Sequence, residues 1–180
     1  MRYSAVAGRY ARALLNVAIE NGKEEEYKRL LKAAALVYRK LQAFFDDPTL
    51  TSQKKFGKMI GFFEESGINL DESFKNFLSI VFERKRQKYL PLMVSFYEDL
   101  EIEAHGKIPV DVITPYELSS EELQQLARFV KKHALREPVF RKKIDESLIA
   151  GVKLEFQGMS YDVSIKGRLL RIARDVFGKG

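Results

Sequence analysis

Apolar positions along the first 105 residues recur at every third or fourth place, the period of an amphipathic helix. The pattern predicts a helix over Tyr3 to Asn21, stopped by Gly22, and a second over Glu24 to Phe45, ended by Asp46-Asp47-Pro48. A third fits Ser52 to Glu65, before Ser66-Gly67. Asn69 followed three residues later by Glu72 resembles a capping box and opens a helix through Phe74, Phe77, Leu78 and Val81. The last helix of this part runs from near Leu90, with Leu92, Phe96 and Leu100 in register. Pro91 is tolerated in its first turn, where a backbone N–H has no helical partner to lose.

At Gly106 the period changes. Ile108, Val110 and Val112 alternate as a strand, Thr114-Pro115 breaks it, and Ser119 with Glu122 forms a capping box for a helix through Leu123, Leu126 and Val130. After His133 a short strand is expected near Val139 to Ile144. Val152, Leu154 and Phe156 alternate with Lys153, Glu155 and Gln157, and Gly158 supplies a tight turn that returns the chain through Tyr161 and Val163. From Ser164 helical spacing resumes in Ile165, Leu169, Ile172 and Val176, with Arg168, Arg171 and Arg174 on another face. The predicted fold is an all-α N-terminal helical bundle, residues 1–105, followed by a small α+β C-terminal domain, residues 106–180.

Two of these helices carry more apolar surface than a one-sided surface helix needs. On helix one, Arg9, Arg12, Asn16 and Glu20 share a narrow sector, while Val6, Tyr10, Ala13, Leu14, Leu15, Val17, Ala18 and Ile19 fill most of the rest. A helix buried by its own bundle gives that pattern; so does one that offers its second apolar flank to a partner. In the helix from Phe74 to Arg84, Phe74, Phe77, Leu78 and Val81 make a core face, with Ile80 and Phe82 outside it. The row Phe77, Ile80 and Arg84 would form a second wall beside Val6, Tyr10, Ala13 and Val17, a candidate groove for another amphipathic helix.

Composition narrows the chemistry. With 46% hydrophobic and 31% charged residues the chain suits a globular protein, and it contains neither a membrane-length apolar run nor a signal or transit segment. Zero Cys excludes disulfides and thiolate chemistry. The two His, His105 and His133, would need a carboxylate-rich shell to hold zinc, and no glycine-rich phosphate loop of the Walker or dinucleotide type occurs. Glu24-Glu25-Glu26, Asp46-Asp47 and Glu64-Glu65 are sequence neighbours that diverge by about 100° on a helix, which suits a solvated face rather than acid-base partnership. No catalytic residue, metal or cofactor is expected.

The formal charge of +6 is spread, net +2 over residues 1–105 and +4 over 106–180, unlike the concentrated stripe that phosphate backbones select. Glu83-Arg84-Lys85-Arg86-Gln87-Lys88 reads as a solvated connector between helices. The alternative, a small basic RNA- or DNA-binding protein, would use that run or the basic terminal helix, with Phe82 and Tyr89 as stacking platforms.

The segment from Asp145 resembles the C-terminal signature of the delta subunit of F-type rotary ATP synthases, the oligomycin-sensitivity-conferring protein of mitochondria. Asp145, Leu148, Ile149, Gly151, Gly158, Asp162, Ser164, Arg168 and Leu169 match it in order, with Ala150 where the family has the first of two glycines. Arg9-Tyr10-Ala11-Arg12-Ala13-Leu14-Leu15 is similar to the family's opening helix. Phe82-Glu83-Arg84-Lys85-Arg86, followed after a short gap by Leu90-Pro91-Leu92, also resembles the family. The resemblance implies a non-catalytic stator connector of a proton-translocating ATP synthase, peripheral at the cytoplasmic face of a bacterial cell membrane without inserting into it. It implies that the first and fifth helices take up N-terminal helices of the alpha subunits, and that the C-terminal domain holds the C-terminal region of subunit b. No nucleic-acid partner follows from it. Gly158 would shape the turn, and Asp162 or Ser164 would cap the last helix.

Overall fold

The structure, a computed structural model, describes residues 4–145 and 151–162. The chain divides into two compact units, residues 1–101 and 102–180. The first is helical: α1 (Ala5–Glu20), α2 (Glu24–Lys40), α3 (Gln42–Asp46), α4 (Ser52–Glu65), α5 (Glu72–Glu83), a 3₁₀ turn (Gln87–Tyr89) and α6 (Leu90–Ala104). Ser4 caps α1 by accepting from the Ala7 N–H, and Thr51 caps α4 by accepting from the Lys54 N–H. Gly22 (φ 61°) and Gly67 (φ 70°) supply the left-handed residues that end α1 and α4.

Three sequence expectations are corrected here. The second helix does not run unbroken to Phe45, because Leu41 (φ −114°, ψ 30°) interrupts it. The short α3 then turns Phe45 fully into the core, 5.6 Å ring to ring from Phe82. Tyr38 fastens the bend by donating to Asp46 at 2.9 Å, and burial followed by that carboxylate pushes its hydroxyl pKa up to about 12. Asn69 does not cap α5. Asp71 does, accepting from the Phe74 N–H at 2.8 Å, while its second oxygen accepts from the Tyr27 hydroxyl at 2.7 Å and Lys23 Nζ at 2.9 Å. An aspartate nearer the helix start caps as well as asparagine and also gains the charge-assisted bonds. Phe82 lies inside the core, 1% exposed, because it follows Leu78 by four residues and so shares its face.

The bundle core is aromatic at its centre. Tyr27, Phe45, Phe63, Phe74, Phe82 and Tyr97 are all buried, with Leu31, Met59, Leu78, Leu90 and Met93 between them. The Tyr97 hydroxyl donates to the Glu24 carbonyl at 3.0 Å, so a buried phenol joins α6 to the start of α2 without an unsatisfied group.

The second unit comprises β1 (Lys107–Thr114), α7 (Ser120–Ala134), β2 (Glu137–Ile144), β3 (Lys153–Phe156) and β4 (Met159–Asp162), in sheet order β2-β1-β3-β4. β1 and β2 pair in parallel across the α7 crossover, and β3 pairs antiparallel with both β1 and β4. The predicted capping box is present: Ser119 Oγ accepts from the Glu122 N–H at 3.2 Å, and the Glu122 carboxylate accepts from the Ser119 N–H at 2.8 Å. β2 begins two residues earlier than its apolar pattern suggests because it follows β1 from Lys107↔Glu137 to Thr114↔Ile144.

Val110, Val112, Leu126, Val130, Leu154 and Phe156 close the core of this unit. On the opposite pleat of β1, Asp111 is 3% exposed and accepts from Arg141 Nε at 2.8 Å and Lys143 Nζ at 2.9 Å. Its charge is therefore paired twice, the condition under which a buried carboxylate is tolerated.

Candidate docking groove

On a wheel of 100° per residue, Ala7, Ala11, Leu14, Leu15 and Ala18 of α1 form the buried face. Tyr10 borders that face, about 40° from Leu14, and Val6 and Ala13 lie on the flank beyond it. On α5 the buried face is Phe74, Leu78, Val81 and Phe82, with Phe77, Ile80 and Arg84 on the flank. The two flanks meet in an open groove of about 370 Å³ lined by Val6, Arg9, Tyr10, Ala13, Phe77, Ile80, Arg84 and Arg86. Six of the seven residues expected from the sequence come together there. The seventh, Val17, packs against the bundle core and does not line the groove.

Tyr10 and Phe77 form the floor, ring centroids 6.4 Å apart at an interplanar angle of 68°. Ala13 is exposed, and Ile80 is 51% exposed, an uncommon fate for isoleucine on a well-packed helix. The groove is apolar inside and basic at its lip. No carboxylate lines it, and among the described residues Arg9, Arg84 and Arg86 make no ion pair, Arg86 lying instead over the Tyr89 ring.

Arg9 and Arg86 were missed by sequence reasoning. Arg9 falls only about 40° from Ala13 on the helix wheel, so it borders the apolar flank although it belongs to the polar sector. Arg86 is brought back by the end of α5: Lys85 adopts φ 53°, the Lys85 N–H donates to Phe82 O and the Arg86 N–H to Val81 O. That is a Schellman turn without its usual glycine, so nothing in the sequence announced it. The run from Glu83 to Lys88 is also less solvated than expected. Gln87 is buried and donates to the Phe45 carbonyl at 3.0 Å, and Arg86 and Lys88 lie over the Tyr89 ring at 6.0 and 5.4 Å. With Phe82 in the core, one of the two stacking platforms of the nucleic-acid reading is lost.

In the second unit, Gln157 (φ 51°) and Gly158 (φ 74°) make the two-residue turn between β3 and β4, both central residues left-handed as a type I′ hairpin demands. Gly151 has φ 110°, a conformation that excludes a Cβ in practice. The Asp145 N–H donates to Thr114 O at 2.9 Å, and Asp162 ends β4. Leu148, Ile149, Ala150, Ser164, Arg168, Leu169 and the expected terminal helix lie outside the described residues. His133 sits against Phe129, ring centroids 4.2 Å apart, with Nδ1 2.7 Å from the Phe129 carbonyl. Among the described residues there is no grouping of His, Asp and Glu able to hold a metal, and no helix long and apolar enough to cross a membrane. The groove can bury apolar side chains and meet acidic ones.

The family described as ATP synthase delta (OSCP) subunit matches residues 6–176. This chain belongs to that family. It is 46% identical over 176 residues to the ATP synthase subunit delta of Pseudothermotoga lettingae, covering 98% of this chain and 97% of that protein. The corresponding subunit of Thermotoga maritima is also 46% identical, over 180 residues that cover 100% of this chain and 98% of the relative. A chain in the cryo-EM structure of the Toxoplasma gondii mitochondrial ATP synthase hexamer shares the fold. Its TM-score is 0.66 at 18% identity, over 97% of this chain and 98% of that one.

Proposed function

We propose that this chain is the non-catalytic stator connector of a proton-translocating ATP synthase, joining the catalytic head to the peripheral stalk. The observation that carries the reading is the groove between α1 and α5: exposed Ala13 and Ile80 flank the Tyr10–Phe77 floor on a member of the delta family. The helical part, residues 1–105, takes up N-terminal helices of the alpha subunits. The mixed part, residues 106–180, holds the C-terminal region of subunit b, with the complex at the cytoplasmic face of the bacterial membrane. Rotation of a central shaft puts torque on the head, and the connector converts that torque into work by keeping the head still. Its task requires affinity and stiffness without chemistry. Apolar contacts suit that load because each Å² removed from water contributes about 25 cal/mol and salt screens such contacts little.

A pulldown from native membranes with the tagged full chain tests this. The expected capture contains both alpha subunits and subunit b, and an Ala13→Asp chain retains subunit b while losing the head. Capture of neither, or loss of both on Ala13→Asp, would overturn the reading.

A further inference from the structure

Resting on that docking reading, we infer that the groove selects its occupant by charge. The partner is an amphipathic helix whose apolar stripe is flanked by acidic side chains, and Arg9, Arg84 and Arg86 are the specificity-determining residues. The groove contains three guanidinium groups and no carboxylate, and none of the three has an ion pair among the described residues. Elsewhere in the same bundle four lysines find carboxylates on the protein itself, Lys23 with Asp71, Lys28 with Glu25 and Glu101, Lys32 with Glu98 and Lys75 with Glu72, while among the described residues Arg12, Arg39 and Lys58 stand singly in solvent. What sets this lip apart is that three guanidinium groups converge on one apolar groove with no carboxylate among its lining residues, so a counter-charge has to come from the occupant, and a guanidinium fork is the side chain best shaped to take a carboxylate.

The dimensions suit a short helix. Val6 to Ala13 on α1 and Phe77 to Arg84 on α5 each span about two turns, roughly 10 Å of wall, which accommodates apolar anchors at i, i+3, i+4 and i+7. The chain's own apolar terminal segment carries Arg168, Arg171 and Arg174 and has the wrong sign. Like charges placed against the lip would be repelled, so the groove admits an acid-flanked helix and discriminates against basic amphipathic ones.

The test uses the full-length chain and two labelled synthetic helices that share one Leu stripe, one flanked by Glu and one by Lys, with binding followed by fluorescence anisotropy. A third peptide, the N-terminal segment of the alpha subunit, runs in parallel. The Glu-flanked helix is expected to bind about tenfold more tightly than the Lys-flanked one near 50 mM salt, with the gap narrowing to about twofold near 500 mM. The variant R9E/R84E should reverse the preference, and R84E alone should move it part of the way; both residues are exposed, so the fold is not at stake. Equal affinity for the two helices, or a preference that R9E/R84E leaves unchanged, overturns charge selection while the alpha peptide still reports on docking. Failure of all three peptides overturns both readings. A dimer dissolved by R84E in sedimentation would assign the groove to a second copy and overturn the inference as well.

Discussion

Tyr10 and Phe77 meet edge to face, 6.4 Å between ring centroids, at the floor of a groove whose walls neither helix covers. Because both rings also pack against the bundle core, the groove is held in shape before any partner arrives. A pre-formed site spends little binding energy on ordering itself. Ala13 faces the same space without contributing to the core. Ala13→Asp should therefore leave thermal unfolding within a few degrees of wild type while weakening capture of an alpha-subunit helix on the order of 2 to 4 kcal/mol, read by titration calorimetry. Loss of cooperative unfolding in that variant would place Ala13 in the core instead.

Phe82 and Ile80, two positions apart on α5, should behave oppositely. Phe82 is 1% exposed among Phe45 and Phe56, whereas Ile80 is 51% exposed. Phe82→Ala removes a ring from a closed core and is expected to cost about 3 to 5 kcal/mol in denaturant unfolding, while Ile80→Ala should cost well under about 1 kcal/mol. A large loss from Ile80→Ala would mean that the groove wall is itself part of the stable core.

These two residues also show how far the sequence was legible. Helical period and breakers identified the helices of the bundle except α3, which was read as the end of α2, and alternation identified β1 and the β3–β4 hairpin, because those signals are local. Phe82 was misplaced because a helix wheel does not say how wide its buried face is until its neighbours are known; α3 supplies Phe45 on that side. Asp71 was passed over for Asn69, since both are competent caps and only tertiary contact with Lys23 and Tyr27 decides between them. The apolar half of the groove and Arg84 could be read from the flanks of the two helices, but Arg86 at its basic lip depended on the unannounced left-handed turn at Lys85.

Asp71 ties stability to acid. Burial alone would raise its pKa, but the Phe74 N–H, then Lys23 and Tyr27, outweigh it and hold the carboxyl below its ordinary value. A depressed folded-state pKa contributes stability above the unfolded value, near 3.9, that is lost as pH falls through the folded value. Asp71→Ala is expected to cost about 1 to 2 kcal/mol at neutral pH by removing the cap and its tertiary bonds. Asp71→Asn keeps the cap, so it should lose less and should show a shallower fall in stability below about pH 4. Urea titrations of the three proteins between neutral pH and about pH 3 check this, and parallel acid profiles for wild type and Asn would remove the linkage.

The β3–β4 turn offers a backbone test. Gly158 sits at φ 74° with open space around its Cα, so a side chain there meets no clash and the penalty is conformational. Gly158→Ala should cost about 1 kcal/mol and Gly158→Val more, since β-branching disfavours left-handed backbone most. An Ala variant as stable as wild type would show that the hairpin relaxes into another turn type.

The proposed division of labour between the two units predicts what a truncated chain does. The compact units separate between Glu101 and Ile102, yet α6 continues to Ala104, and Glu101 is a buried carboxylate bonded to Lys28 at 2.8 Å. A cut at residue 101 would leave that bonded residue at a frayed, charged chain end, whereas a cut after residue 105 keeps the last turn of α6 and stops before Gly106, whose φ is 72°. Residues 1–105 should therefore fold cooperatively and bind the alpha-subunit helix with an affinity within about twofold of the full chain, because no groove residue is lost. The same fragment should fail to capture subunit b in a pulldown. If it retained subunit b, stalk attachment would have to move to the helical unit; if it did not fold, the strands and α7 would have to stabilise the bundle, and the two attachments could not be assigned to separate units.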